Sequence, residues 1–185
     1  MKISSLFIII VVLVTSACET QSQRSAIYAK KCRQFVDKGF LEVADETCSK
    51  AWFDVETDRL SPVIQSQRLY ELARIKRQRQ KYVEAEPLLL QSLAIEETVS
   101  GRSSTAYGLR LLELSLIMAG QSKWNEGSVF LKQLLLIDSS FSKQDQLAKA
   151  NVLNHYASQL QNSDLAPLAN LFKNKATELY TIGEE

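Results

Sequence analysis

SQRLYELARIKRQRQKYVEAEPLLLQSLAIEE, from Ser66 to Glu97, is the stretch on which the fold turns. Its small residues Ala73, Ala85 and Ser92 recur along the chain in fixed register. Cys32, Ala73, Ser115 and Ala157 lie 41, 42 and 42 residues apart, and twelve residues after each comes Ala44, Ala85, Gly127 or Ala169. Seven further on stand Ala51, Ser92, Leu134 and Ala176. Ala, Gly, Ser and Cys make up roughly a quarter of the sequence, so about three of these twelve places should be small by chance, and eleven are. A repeat of this period indicates a solenoid. Two helices approach to about 8 Å only where neither carries a bulky side chain at the contact, so each unit reads as a helical hairpin.

The second unit resembles a tetratricopeptide repeat (TPR). Leu69, Leu72 and Ala73 match the packing positions of its first helix, Tyr82 and Ala85 the start of its second, and Leu89, Ser92, Leu93 and Ile95 the buried stripe. YVEAEPLL and the 42-residue spacing are most similar to the longer, kinesin-light-chain type, in which a Gly such as Gly101 follows the second helix. The resemblance implies an all-α, right-handed superhelical solenoid of about four hairpins over residues 26–185. Three residues depart from the pattern: Lys76 replaces an aromatic, Gln80 the turn Gly, and Leu134 a small residue. Helices are predicted at 26–36, 41–53, 63–78, 83–98, 105–119, 125–137, 146–161 and 165–180, and the polar stretch NVLNHYASQLQNSD of the fourth unit reads as an end cap.

Residues 1–17 are of another kind. Lys2 precedes an unbroken apolar run from Leu6 to Val14, too short to span a bilayer and right for an export signal. Thr15-Ser16-Ala17-Cys18 resembles a bacterial lipobox, which implies cleavage before Cys18, lipid on its sulfur, and a polar tether over 18–25. Glu19, rather than Asp, after the Cys matches the pattern for the outer membrane, facing the periplasm. Small residues at Thr15 and Ala17 equally suit ordinary signal peptidase, which leaves a soluble product. Without residues 1–17 the chain carries 21 basic and 21 acidic residues. That balance argues against nucleic acid as a partner, since a nucleic-acid-binding domain is usually strongly basic.

Cys32 and Cys48 remain for an oxidising compartment. If Cys32 faces Ala44, Cys48 lies one helical turn, about 5 Å, beyond the facing point. That strains the limit of about 7 Å between bridged Cα atoms. Two buried thiols are therefore expected, with a bridge as the alternative.

Cofactors have no parts to hold them. The single histidine, His155, has no Cys or His at metal spacing, and the six glycines are scattered. Glu113 is the one candidate for a peptidoglycan-cleaving acid on a helical solenoid. The inner surface, which the resemblance assigns to the first helix of each unit, offers Ala29, Arg33 and Val36; Tyr70, Arg74 and Arg77; Leu109, Leu112 and Leu116; Asn151, Asn154 and Ser158. This groove would be basic and aromatic at one end, apolar at the centre and amide-rich at the other, suited to a peptide with an acidic portion and an apolar anchor. The run Arg68, Arg74, Lys76, Arg77, Arg79 and Lys81 also reads as a merely solvated helix. The expectation is a lipid-anchored, non-catalytic scaffold for protein or peptide partners in the bacterial envelope. TPR lipoproteins there serve as adaptors for peptidoglycan enzymes, as pilotins and in outer-membrane assembly. A self-associating subunit joined through the apolar third unit stays open beside it.

Overall fold

The computed structural model describes residues 23–58, 60–137 and 141–184, which are helical throughout apart from their connections. The helices are α1 (23–37), α2 (Leu41–Asp58), α3 (Pro62–Gln78), α4 (Tyr82–Val99), α5 (Thr105–Gly120), α6 (Trp124–Leu135), α7 (Lys143–Leu160) and α8 (Ala166–Glu184). They pair in sequence as four hairpins. Ser104 and Ser142 cap α5 and α7 by accepting the backbone N–H of Tyr107 and Asp145, both at 3.1 Å. The expected export signal and Cys18 lie outside the described residues. Helix α1 already begins at 23, which takes three residues from the expected tether, and α2 runs five residues past its predicted end.

All twelve positions of the repeat register are buried. A second register accompanies them: Ser25, Ser66, Gly108 and Ala150 are buried and stand 26 residues before Ala51, Ser92, Leu134 and Ala176. Ser25 Oγ donates to the Ala51 carbonyl at 3.0 Å, and Ser92 Oγ to that of Ser66 at 2.8 Å. The pairs 12 and 26 residues apart share a midpoint at each interhelix turn, as antiparallel helices require. Leu134, the one bulky member, fits because Gly108 faces it: a Cβ there would stand 3.2 Å from Leu134 Cδ1 and 2.6 Å from Phe141 Cζ. Gly39, Gln80 and Ser122 take left-handed φ of 76°, 60° and 57° at successive turns, so Gln80 adopts the glycine's conformation in its place.

First helices form the inner row. Helix α5 packs against α3 on one side and α7 on the other, while among the described residues no second helix makes a comparable contact with the next. Between rows lie three clusters of buried residues linked by the partly buried Leu88, Leu93, Leu109 and Phe130; in the largest, Tyr156 and Phe172 are fully buried and meet edge to face at 6.4 Å. Tyr156 also donates to the Ser115 carbonyl at 2.7 Å, locking the fourth unit onto the third.

Contrary to expectation, Cys32 and Cys48 form a disulfide, with Cα atoms 5.2 Å apart. The expected separation was too long because a residue of one helix seats between i and i+4 of its neighbour. Cys48 thus lies nearer to Cys32 than a full turn beyond the facing point. Cys48 stands where the second and third units bury Leu89 and Leu131, so the bridge replaces an apolar knob in the smallest part of the core.

Two outcomes follow. Ala85→Leu should destabilise the protein by about 1 to 3 kcal/mol through overpacking, while Val83→Leu, at a position 79% exposed, should leave chemical denaturation nearly unchanged. Replacing both Cys32 and Cys48 by Ala should cost about 2 to 4 kcal/mol, the range for closing a loop of this length; equal denaturation midpoints for variant and oxidised wild type would remove the staple from the account.

Candidate protein-interaction groove

Arg33, Tyr70 and Arg74 line one notch between α1 and α3, of about 310 Å³, with Gln67, Glu71 and Gln78 around them. Two carboxylates organise its cations. Glu71 accepts from Arg33 Nη1 at 2.8 Å, Arg68 Nη1 at 3.2 Å and Gln67 Nε2 at 3.2 Å. Glu113 of α5 accepts from Arg74 Nε at 3.1 Å and Arg77 Nε at 2.6 Å. Four guanidiniums therefore share two carboxylates, and even with Asp37 at the rim the strip keeps a positive surplus. Arg33 and Arg74 are its open members, with side chains 56% and 45% exposed. Nε and Nη2 of Arg33 and both terminal nitrogens of Arg74 have no protein acceptor among the described residues.

Tyr70 is the floor of the notch, and it is buried. Arg74 lies over its ring at 5.5 Å and Arg110 at 4.4 Å. Burial, with the Glu113 charge nearby, pushes the Tyr70 hydroxyl up to about 12, so it stays a neutral phenol. Beneath it Arg110 pairs with Glu96 at 3.3 Å and reaches Ser92 and Ser66. Burial lowers the pKa of Arg110. Burial also works to raise that of Glu96, but hydrogen bonds from Ser100 and Ser66 and the Arg110 charge outweigh it and hold the carboxylate below the ordinary range. A charged, fully bonded layer thus fixes Tyr70, and through it Arg74, from below.

The basic run of α3 divides by helical face. Arg68, Arg74 and Arg77 serve the inner strip, while Lys76, Arg79 and Lys81 converge on the buried Asp45 of α2, Lys76 at 2.9 Å and Lys81 at 3.4 Å. It is therefore not a merely solvated helix.

The expected groove residues do not form one continuous surface. Leu112 is 6% exposed and belongs to the core with α7, and Leu109 and Leu116 are half-buried against the same cluster. Ala29 is wholly buried. Asn151 accepts the Tyr180 hydroxyl at 2.7 Å. Asn154 borders a separate small cleft between α7 and α8, with Ser158, Gln161, Asn170 and Lys173. His155 rests edge to face on Trp124 at 5.2 Å. Among the described residues no cluster of His, Cys, Asp or Glu could hold a metal ion. Glu113 has both oxygens engaged by guanidinium donors, which makes it the hub of an ion-pair cluster. Glu71, Gln67 and Gln78 went unread in the sequence, although Glu71 stands three residues after Arg68 and three before Arg74, the spacing of one helical face.

No protein-family model matches the sequence, and no match was found among curated proteins. Solved structures are similar in fold. BtubC (BKLC) from P. vanneervenii superposes with a TM-score of 0.68 at 15% identity over 86% of this chain, which spans 61% of that protein's length. A putative kinesin light chain of Podosopora anserina with nearly identical TPR-like repeats gives 0.65 at 18% identity, over 88% of this chain and 74% of that one. Four stacked hairpins, small-residue contacts in a 42-residue register and these superpositions together show that the chain has the fold of a TPR-like repeat solenoid.

Proposed function

We propose that this protein is a non-catalytic, membrane-anchored scaffold of the bacterial cell envelope that receives an acidic peptide segment of a protein partner in the notch between α1 and α3. One observation carries the reading: Arg33 and Arg74 present unused guanidinium donors across a concave notch whose other cations are already matched. Guanidinium donors recognise carboxylates in directed pairs, and the amides of Gln67 and Gln78 suit an extended main chain. The TPR-like fold favours protein partners in general. Lipid on Cys18 supplies the anchor, and the Cys32–Cys48 bridge suits the oxidising side of a membrane. Nucleic acid is not the partner in this reading, given the even charge balance.

In fluorescence anisotropy, a labelled Asp- and Glu-rich peptide should bind the wild type and lose about tenfold or more in affinity with Arg33→Ala/Arg74→Ala, the range for truncating interface anchors. Lys132→Ala on α6 serves as control. If the double variant binds as tightly as wild type, or if the same peptide with Asn and Gln in place of its acids binds equally, the notch is not the site. Melting curves of both variants check that they stay folded.

The anchor has its own test. Radiolabelled palmitate should enter the wild type and not Cys18→Ser, and recovery of both from the soluble periplasm in equal amounts would exclude it.

A further inference from the structure

The two ends of the solenoid differ. At the far end, the cleft between α7 and α8 is lined by amides, a hydroxyl and Lys173. At the near end α1 and α2 are the first hairpin among the described residues, and the face they turn away from α3 carries apolar and aromatic side chains. Val43, Glu46, Lys50 and Phe53 recur at helical spacing along α2, and Arg24, Ile27, Tyr28 and Lys31 along α1. Ile27 is 51%, Val43 42% and Phe53 63% exposed. A shallow notch on this face, bounded by Arg24, Tyr28, Glu46, Lys50, Phe53 and Asp54, draws its lining from α1 and α2 alone, so it lies on the side away from α3. Lys31 lies over the Tyr28 ring at 5.9 Å; on this face Arg24 pairs with Asp54 at 3.9 Å and Lys50 with Glu46 at 2.7 Å, and α1 adds the exposed cations Lys30 and Lys31.

We infer that this end face seats on the lipid surface to which the chain is tethered, with Ile27, Val43 and Phe53 entering the headgroup boundary and the α1 lysines meeting anionic headgroups. The inference rests on the proposed anchor at Cys18. Only four residues separate Cys18 from the start of α1, and the five Cα-to-Cα steps across them reach at most about 18 Å when fully extended. A helix with its side chains is already about 10 Å across, so the first hairpin is held at the bilayer boundary. Apolar and aromatic side chains interleaved with lysines have the composition of interfacial surfaces, where rings sit at headgroup level and lysine stems lie along apolar surface with their charges in water. Seating this end would point the solenoid away from the membrane and leave the α1–α3 notch at its base, open to a partner.

The test uses the full lipidated chain, purified from membranes and reconstituted into phosphatidylethanolamine and phosphatidylglycerol vesicles with plain or brominated acyl chains. Ile27→Trp and Leu171→Trp each add one tryptophan to the two native ones, the second at a comparably exposed position, 44%, on α8. Relative to wild type, Ile27→Trp should lose most of its added emission in brominated vesicles, and Leu171→Trp should lose none. Phe53→Trp, an aromatic-for-aromatic change, repeats the measurement from α2. Equal emission from Ile27→Trp and Phe53→Trp in both vesicle types would overturn the inference. So would shielding from aqueous acrylamide that grows with protein density and comes without bromine quenching, because a second copy would then cover the face. Intact mass separates the two readings: acylated protein without quenching overturns the seating and leaves the anchor, whereas protein without acyl chains overturns both.

Discussion

Close approach of paired helices at small residues is the constraint on which the rest of the structure depends. Each hairpin closes twice, at pairs 12 and 26 residues apart, and both closures share a midpoint in the turn. Where a bulky residue enters, its partner shrinks, as Gly108 does opposite Leu134. Where the apolar knob is missing, as at Cys48, a covalent bridge takes its place. The spacing of inner helices, and so the shape of the concave strip, follows from these contacts.

Much of the fold was legible for this reason, because a contact that tolerates only small side chains writes itself into the sequence at a fixed period. The register of Ser25, Ser66, Gly108 and Ala150 was equally readable and went unread, since serine and glycine look like turn residues until the 26-residue partners are paired with them. The bridge was misjudged on one geometric assumption, a facing point placed at Ala44 instead of between Ala44 and Cys48. Gln80 shows the converse case: the departure from glycine was visible, but that the backbone would keep a left-handed φ of 60° was not.

The groove was only partly legible, because helical spacing gives a side chain's direction but not what meets it. Arg33, Tyr70 and Arg74 come together as expected. Leu112 points the same way along α5, yet α7 packs over it and makes it core. The counter-ions lay beyond one-helix reasoning, since Glu113 reaches the arginines of α3 from another unit. Its pairing with two guanidiniums, through Nε of each, leaves Arg74's terminal nitrogens facing the notch.

The groove therefore combines an internally bonded base with two half-exposed cationic edges, Arg33 on the terminal hairpin and Arg74 on the next, each held by a carboxylate through one nitrogen and open at its others. Preorganised donors of this kind cost little to order on binding. The account is tested most directly by following the arginine Nε–Hε resonances of the isotope-labelled protein during titration with an acidic peptide. It predicts that the signals of Arg33 and Arg74 move and saturate together while that of Arg110, bonded beneath Tyr70, stays in place. Saturating shifts confined to residues outside the α1–α3 notch, with Arg33 and Arg74 unmoved, would contradict it.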